Sequence, residues 1–335
     1  MPKVLDSAWQ AYQERGQRIE ELIRRLDKLR KSVDKLREEI KGKIGQVSLN
    51  DSNEFHNRYI AVDSAYTMIP HTFAVEYLAV AVAAMDTREF HSSIMYEFPE
   101  FDTLAQIEIE ETMSRRILEG MGSSLELLLA DRYRGDFPVI YLDGSFDTFV
   151  IKLNSLLSLT KLATASSNPF YSRLRDLAKQ ATDALHRLLK QKSIIAVPKV
   201  SFRNEFIHHY GLAQREEFKG IQGDYPILHL LLKEGEYVKV PIRSKAHALS
   251  GVDGRKKEEI FDAIHSAEVV YLKGLSGKVY KFEVVGTMVP ETIYPLTPGQ
   301  ELLPLFEADR LAKDLLGMLL EGGQVSLLEG YREVR

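Results

Sequence analysis

The sequence predicts an α/β fold in which a mixed sheet is flanked by helices and preceded by one long helix. Three observations support this prediction. Residues 6–43 are expected to form one helix, in which an apolar seam with heptad spacing runs from Ile19 to Ile40. Apolar stretches of strand length then follow at residues 58–63, 72–85 and 88–98. Further along the chain, strand-like stretches alternate with helical patterns, as in other α/β proteins.

The N-terminal helix is predicted from its seam. Seven apolar residues recur at alternating spacings of three and four, namely Ile19, Leu22, Leu26, Leu29, Val33, Leu36 and Ile40. So narrow a stripe is typical of a coiled coil and seeks another helix, in the same chain or in a second copy. We expect Gly42 and Gly45 to end this helix. We therefore assign residues 1–45 to an N-terminal helix that resembles a coiled coil.

The order of the remaining elements suits an RNase H-like sheet, assigned to residues 46–325 and followed by a tail at 326–335. The first three strands are expected to form an antiparallel meander. The later elements are a helix at 103–131, a strand at 137–142, helices at 147–163 and 170–191, a strand at 193–200, strands near 226–241 and 268–285 around a helix at 255–265, and a last helix at 301–321. In this architecture the first strand lies beside a later parallel strand.

Length and composition exclude several classes of protein. A chain of 335 residues suits one elaborated domain with an appendage. The absence of cysteine excludes disulfide scaffolds, thiolate zinc sites and cysteine nucleophiles. A bound metal would therefore have oxygen or imidazole ligands, which favours Mg²⁺ or Mn²⁺. There is no signal-peptide pattern and no apolar run of about 18 residues, so a cytoplasmic protein without a membrane span is expected.

Charge is unevenly distributed although the net charge is only −4. Residues 151–200 contain nine lysines and arginines and two acids, which gives +7. Residues 97–131 contain nine acids and two arginines, which gives −7. This pattern suits a metal-dependent enzyme that acts on a polyanion, because acids gather cations and basic residues hold phosphates. It suits solvated helix faces equally well.

Two aspartates end predicted strands. Asp63 ends an apolar strand, and Asp143 ends another and precedes Gly144. Either residue alone would be read as part of an ordinary turn. Two such aspartates in one α/β chain favour a site for divalent metal, because phosphodiester hydrolysis needs clustered carboxylates.

The intervening helix offers two more acids, Glu119 and Glu126. They are seven residues apart and so lie on nearly the same helix face. Glu126 stands within an apolar run, which is unusual for an acid. Either glutamate is a candidate ligand for a metal held by Asp63 and Asp143, although both also fit a surface role.

Several stretches of the chain, taken in order, resemble the NurA nuclease family. They are Ala61–Ser64, the following helix with its arginines and a glutamate, Leu142–Phe146, Ile194–Ser201, Tyr280–Val284 and Pro304–Ala312. The similarity extends over about residues 58–320. It depends on the order of these stretches along the chain more than on any single motif.

The resemblance implies an RNase H-like, Mn²⁺-dependent endo- and exonuclease, with Mg²⁺ as the alternative ion. It implies a homodimer that works with HerA, a hexameric DNA-translocating ATPase, in resecting double-strand breaks. The family aspartates correspond to Asp63 and Asp143, and the family glutamate to Glu119 in preference to Glu126. The family usually has a histidine where this chain has Asp309. Since aspartate also binds Mn²⁺, Asp309 is expected to complete the set of ligands.

The leading hypothesis is therefore a DNA-end nuclease whose basic residues hold the DNA backbone without reading its sequence. The candidate DNA-binding residues are Lys152, Arg173, Arg175 and Lys199. The main alternative is a catalytically weakened or inactive NurA-like subunit that acts as a scaffold through its coiled coil, an alternative that Asp309 favours. A third is an unrelated hydrolase with a carboxylate pair, for example one acting on glycosides.

Overall fold

The computed structural model describes residues 2–47, 59–70, 75–85, 94–97, 102–104, 111–137, 139–162, 169–192, 194–198, 203–286 and 303–322. The helices are α1 (Pro2–Ile40), α2 (Glu111–Arg132), α3 (Phe146–Leu162), α4 (Pro169–Gln191), α5 (Glu205–His209), α6 (Tyr225–Leu231), α7 (Gly254–His265) and α8 (Leu303–Gly322). The strands are β1 (Ile44–Gln46), β2 (Tyr59–Pro70), β3 (Val75–Met85), β4 (Ile94–Glu97), β5 (Asp102–Leu104), β6 (Val139–Asp143), β7 (Ile194–Val197), β8 (Glu236–Pro241), β9 (Glu268–Lys273) and β10 (Val279–Val284).

All of these strands join one mixed sheet in the order β1-β8-β9-β10-β7-β6-β2-β3-β4, and β5 also pairs with β3. β2, β3 and β4 form the antiparallel meander that the sequence predicts. β6 is parallel to β2 on one side and to β7 on the other. The predicted α/β class, with a mixed sheet flanked by helices, is confirmed.

The two faces of the sheet are covered differently. One face, the α2 face, packs against α2, α3, α4, α6, α7 and the second half of α1 in one apolar core. The other, the α8 face, is covered by α8 through two smaller apolar clusters. Alternation along β2 sends Ile60 and Val62 to the α2 face and Tyr59 and Ala61 to the α8 face.

Helix α1 divides its apolar seam between two environments. Val33, Leu36 and Ile40 are buried in the core of the α2 face. The Arg37 guanidinium anchors this half by donating to the Glu236 carboxylate at 2.6 and 2.7 Å. Burial raises the pKa of Glu236, but the hydrogen bonds from Arg37 and from the Lys233 amide, together with the charges of both residues, outweigh it. The pKa of Glu236 therefore lies below its ordinary value. Four apolar residues earlier in α1 remain exposed, namely Ile19, Leu22, Ile23 and Leu26.

Four parts of the predicted secondary structure were wrong. The first strand was expected to end at Asp63, but β2 continues to Pro70, so Asp63 lies within the strand. The helix expected from residue 103 begins at Glu111, and residues 102–104 instead pair with β3 as β5. The strand expected near 226–241 begins only at Glu236. Its first part belongs instead to α6, which has a proline in its first turn and buries Ile227, Leu228 and Leu231. Here an apolar run of strand length proved to have helical spacing.

The fourth error concerns residues 268–285, which form two strands. β9 and β10 are an antiparallel hairpin whose turn contains Gly277 at a φ of 76°. A positive φ costs glycine little, so this residue marks the turn. Gly45 also differs from expectation, because α1 ends at Ile40 and Gly45 pairs with Tyr237 within the sheet.

The predicted tail at 326–335 lies outside the described residues. Where the chain is described, no helix has the length and apolar character that crossing a bilayer requires.

Candidate metal centre

Three carboxylates from distant parts of the sequence meet at the α8 face. Asp63 of β2, Asp143 of β6 and Asp309 of α8 each offer one oxygen, and these oxygens lie within 4.8 Å of one another. Asp63 is 4% exposed, while Asp143 and Asp309 are partly exposed. The cluster is therefore held by the core on one side and open to solvent on the other.

Strand register brings the first two aspartates together. β2 and β6 run parallel with Val62 opposite Leu142, so Asp63 and Asp143 follow that pair in neighbouring strands. Both point towards α8, because side chains two positions earlier, Ala61 and Tyr141, belong to the apolar cluster on that face. The predicted pairing of a first strand with a later parallel strand therefore explains the meeting of these two carboxylates.

Helix α8 supplies the third carboxylate. Leu305, Ala308 and Ala312 face the sheet, and they fix the rotation of the helix about its axis. Asp309 stands beside this buried stripe and one turn from Leu305, which brings it to the edge of the contact with β2 and β6. The Lys313 ammonium donates to Asp309 Oδ2 at 2.8 Å.

The two candidate glutamates lie on α2, and the structure does not place them within the aspartate cluster. Glu126 is 4% exposed and accepts a hydrogen bond from the Ser64 hydroxyl, directly beside Asp63 in the chain. Glu119 accepts from the Arg115 guanidinium at 2.8 Å. Since neighbouring residues of a strand point to opposite faces, Ser64 links Glu126 to the α2 face of β2. The metal-ligand role of either glutamate remains a prediction.

Two residues that the sequence analysis does not single out, Tyr66 and Gly122, lie where α2 packs against β2 near the site. Burial raises the pKa of the Tyr66 phenol, and the charges of Glu119, Glu126 and Asp63 raise it further. A Cβ atom at Gly122 would lie 2.7 Å from Ser64 Oγ and from Tyr66 Cδ1. Gly122 therefore lets α2 approach β2 closely enough for Glu126 to reach Ser64. A glycine within an otherwise helical pattern was the available sequence signal.

The candidate DNA-binding residues lie on the α2 side of the molecule. Lys152 is partly buried on α3, Arg173 and Arg175 are exposed near the start of α4, and Lys199 lies outside the described residues. Their role in binding DNA stays a prediction.

The aspartate cluster fits a hard divalent cation. Its donors are carboxylate oxygens, which Mg²⁺ and Mn²⁺ prefer. Ligands on opposite sides of Mg²⁺ are about 4.2 Å apart, since each bond is about 2.1 Å. A separation of at most 4.8 Å needs only small side-chain movements to close around such an ion. An ion would also relieve the mutual repulsion of three clustered negative charges.

Replacing Asp309 with asparagine should weaken Mn²⁺ binding at least tenfold. The loss of a ligand should cost at least as much as the loss of an outer-shell partner, which costs about 10–100-fold. Isothermal titration with Mn²⁺ measures the effect. Asp314→Asn is the matched control, because Asp314 lies on the same helix and pairs with Arg310 at the surface. Equal Mn²⁺ affinity in the wild type and in Asp309→Asn would contradict a ligand role for Asp309.

Comparison with known proteins identifies the fold. No protein-family model matches the chain, and no curated protein matches its sequence. Solved NurA structures do match. NurA with manganese has a TM-score of 0.55 and 14% identity, covering 88% of this chain and 93% of that chain. The NurA nuclease from Sulfolobus solfataricus has a TM-score of 0.51 and 14% identity, covering 86% and 91%. NurA bound to dAMP and manganese has a TM-score of 0.51 and 13% identity, covering 88% and 91%. The chain therefore has a NurA-like fold.

Proposed function

We propose that this protein is a divalent-metal-dependent deoxyribonuclease that processes DNA ends, with Mn²⁺ as its preferred ion. The observation that carries the proposal is the meeting of Asp63, Asp143 and Asp309 in a chain with a NurA-like fold. A NurA bound to dAMP and manganese is among its structural neighbours, which supports a nucleic acid substrate. The RNase H-like character of the domain is part of this proposal.

When bound, a divalent ion at this site supplies an activated water and neutralises charge on the scissile phosphate. Asp63 and Asp143 would hold it, and the Ser64 amide fixes Asp63 by donating to its Oδ1 at 2.8 Å. Asp309 would complete the cluster from α8. For the glutamate, the contact of Glu126 with Ser64 favours Glu126 over Glu119, which is paired with Arg115.

Asp63→Ala and Asp143→Ala should each reduce Mn²⁺-dependent cleavage of linear DNA to background while the protein stays folded. Each change removes one carboxylate from a repulsive cluster, so the free energy of unfolding should not fall much. The measurement is cleavage of end-labelled duplex and single-stranded DNA, with circular dichroism as the test of folding. Asp136→Ala, in an exposed turn, is the control. If either folded variant cleaves DNA at nearly the wild-type rate, the assignment fails.

One feature favours a second function, that of a catalytically weakened or inactive subunit which acts as a scaffold. It is Asp309 at the position of the family histidine, where its carboxylate is also paired with Lys313. The cleavage assay separates the two functions, because a scaffold would bind its partners while wild type and Asp63→Ala remain equally inactive. The nearness of Asp309 to Asp63 and Asp143 supports the nuclease.

The first turns of α4 would contact the DNA backbone on the α2 side of the sheet. Near its C-terminal end, α4 runs beside the end of α2, where Arg187 pairs with Asp131 and Gln191 bonds to the Arg134 carbonyl. Both helices rise about 1.5 Å per residue. Counted back along each helix from the Arg187–Asp131 pair, Arg173 and Arg175 therefore lie about level with the turn of α2 that contains Glu119. Arg173 and Arg175 are exposed there, which supports a phosphate-binding role for both.

Replacing Arg173 and Arg175 together with glutamine should lower the salt dependence of DNA binding. Each lost phosphate contact should reduce the slope of log K against log salt by about 0.9 for duplex and about 0.7 for single strands. Fluorescence anisotropy at several salt concentrations measures the slope. The double variant Lys190→Gln/Arg255→Gln has the same change in charge, at residues that pair with Glu259. A slope that falls equally in both double variants would place the DNA elsewhere.

The exposed half of α1 would serve in assembly. Ile19, Leu22, Ile23 and Leu26 are 46–58% exposed on a helix whose later residues are buried. A helix with an apolar stripe in water needs a partner surface. We propose that this half joins two copies in a homodimer, which in turn engages a HerA-type hexameric ATPase during end resection. The proposal rests on the seam together with the family resemblance.

Leu22→Gln/Leu26→Gln should weaken dimer formation and leave Mn²⁺ binding unchanged. Deleting residues 1–43 would be a poorer test, because it also removes Val33, Leu36 and Ile40 from the core. Light scattering with multi-angle detection measures the mass as a function of concentration. Ile151→Gln, at an apolar residue of α3 that is 57% exposed, is the control. An unchanged mass for the Leu22/Leu26 variant would exclude the exposed seam as the dimer contact.

A further inference from the structure

Strand β10 carries two charged residues into the core of the sheet. Lys281 and Glu283 are two residues apart, so they point to the same face, and their side chains are fully buried. The Lys281 ammonium lies 3.0 Å from Glu283 Oε1 and 3.0 Å from Glu205 Oε1. Buried lysine and glutamate are rare, and their presence on an otherwise apolar core strand calls for a physical explanation.

The second oxygen of Glu283 reaches the segment that follows the metal centre. Glu283 Oε2 accepts a hydrogen bond of 2.9 Å from the backbone amide of Phe146, the first residue of α3. Phe146 is three residues after Asp143. A carboxylate at the N-terminus of a helix satisfies an amide without a helical partner and is favoured by the helix dipole. Glu283 thus caps α3 from β10, which lies two strands away from β6, the strand that carries Asp143.

A second buried carboxylate clamps the same segment. Asp147 accepts from the Arg203 guanidinium at 2.7 Å, from the Ser244 hydroxyl at 2.5 Å and from the Lys245 amide at 2.8 Å. Burial raises the pKa of Asp147, but these contacts together outweigh that effect and bring the pKa below its ordinary value. The carboxylate is therefore ionised at neutral pH. Between the clamp and β6 stands Gly144, at a φ of 135°, which only glycine adopts easily.

Stability alone gives weak grounds for burying these charges. A buried ion pair loses so much hydration that an apolar replacement of similar volume is often as stable or more so. What the pair does provide is a fixed position for the Phe146 amide, tied to β10. A metal ligand must be held to within about 0.5 Å of its productive position by supporting contacts. The turn between Asp143 and Phe146 is short enough to transmit that constraint.

We propose that Glu283, held by Lys281, is a positioning residue for Asp143. It fixes the start of α3, and with it the turn that sets the Asp143 carboxylate opposite Asp63. This role rests on the proposed function, because it assigns Glu283 to the support of the same metal centre. Glu283 itself touches neither the ion nor the substrate.

Two variants separate the contact with Phe146 from the charge of Glu283. Glu283→Asp keeps the charge beside Lys281 but withdraws the acceptor from Phe146 by about 1.5 Å, the length of one carbon–carbon bond. The double variant K281M/E283Q removes both charges and keeps an amide oxygen for Phe146. Lys281 is changed as well, because otherwise the glutamine NH₂ group would face its ammonium. Mn²⁺ affinity is measured by isothermal titration, beside cleavage at rising Mn²⁺ concentrations.

Glu283→Asp should weaken Mn²⁺ binding about tenfold or more, as loss of an outer-shell partner does. Saturating Mn²⁺ should restore most of its cleavage rate. K281M/E283Q should bind Mn²⁺ within threefold of wild type. Asp224→Asn is the control, because Asp224 is buried in the same network and caps α5 through the Phe206 and Ile207 amides without contacting residues 143–147. It should lower stability and leave Mn²⁺ affinity unchanged.

Wild-type affinity in Glu283→Asp, or a loss in K281M/E283Q as large as that in Glu283→Asp, would overturn the positioning role while the proposed function stands. If Glu283→Asp does not fold, the double variant still decides, since more than threefold weaker binding contradicts the proposal. A wild-type protein that binds no Mn²⁺ would overturn the proposed function and the positioning role together.

Discussion

The parallel pairing of β2 with β6 is the constraint on which the candidate site depends. Its register puts Val62 opposite Leu142 and therefore sets Asp63 and Asp143 side by side. The two strands differ in length, because β6 ends at Asp143 while β2 continues to Pro70. Ligands of open α/β sheets bind in the crevice beyond the carboxyl ends of strands. Here the aspartate cluster lies where β6 stops beside a strand that continues.

Beyond the end of β6, residues from both faces of the sheet approach β2. Asp309 comes from α8 on one face, and Glu126 comes from α2 on the other through its contact with Ser64. Gly122 permits the second approach, since a Cβ atom there would collide with Ser64 and Tyr66. The sheet thus separates Glu126 from the aspartate cluster, and the two meet β2 at the neighbouring residues Ser64 and Asp63.

Much of this arrangement could be predicted from the sequence. The sequence indicates Asp63 and Asp143 because each follows an apolar run, and the order of the elements suits a parallel pairing of their strands. Only Asp143 ends its strand, whereas Asp63 lies within β2. The sequence predicts too early a start for α2 and a strand in place of α6, because short apolar runs fit both the helical and the strand period. The heptad seam of α1 was recognised, but periodicity is identical in its buried and exposed halves. The two halves differ only in their surroundings, because Val33 and Leu36 pack against the core of the α2 face.

The buried charges of β10 illustrate a harder limit. In the sequence, Lys281 and Glu283 follow the alternation of a half-exposed strand, whose polar residues would ordinarily face water. The structure buries them because β10 lies inside the sheet between β9 and β7, with both faces covered. Burial raises the pKa of Glu283, and the Lys281 charge and the Phe146 amide oppose that shift by stabilising the carboxylate. The loop after Asp143 is consequently held by electrostatic contacts whose strength depends on the exclusion of water. The position of the Asp143 carboxylate therefore depends on how well the surrounding core excludes water. The helices of the α2 face contribute to the metal centre in this way without touching it.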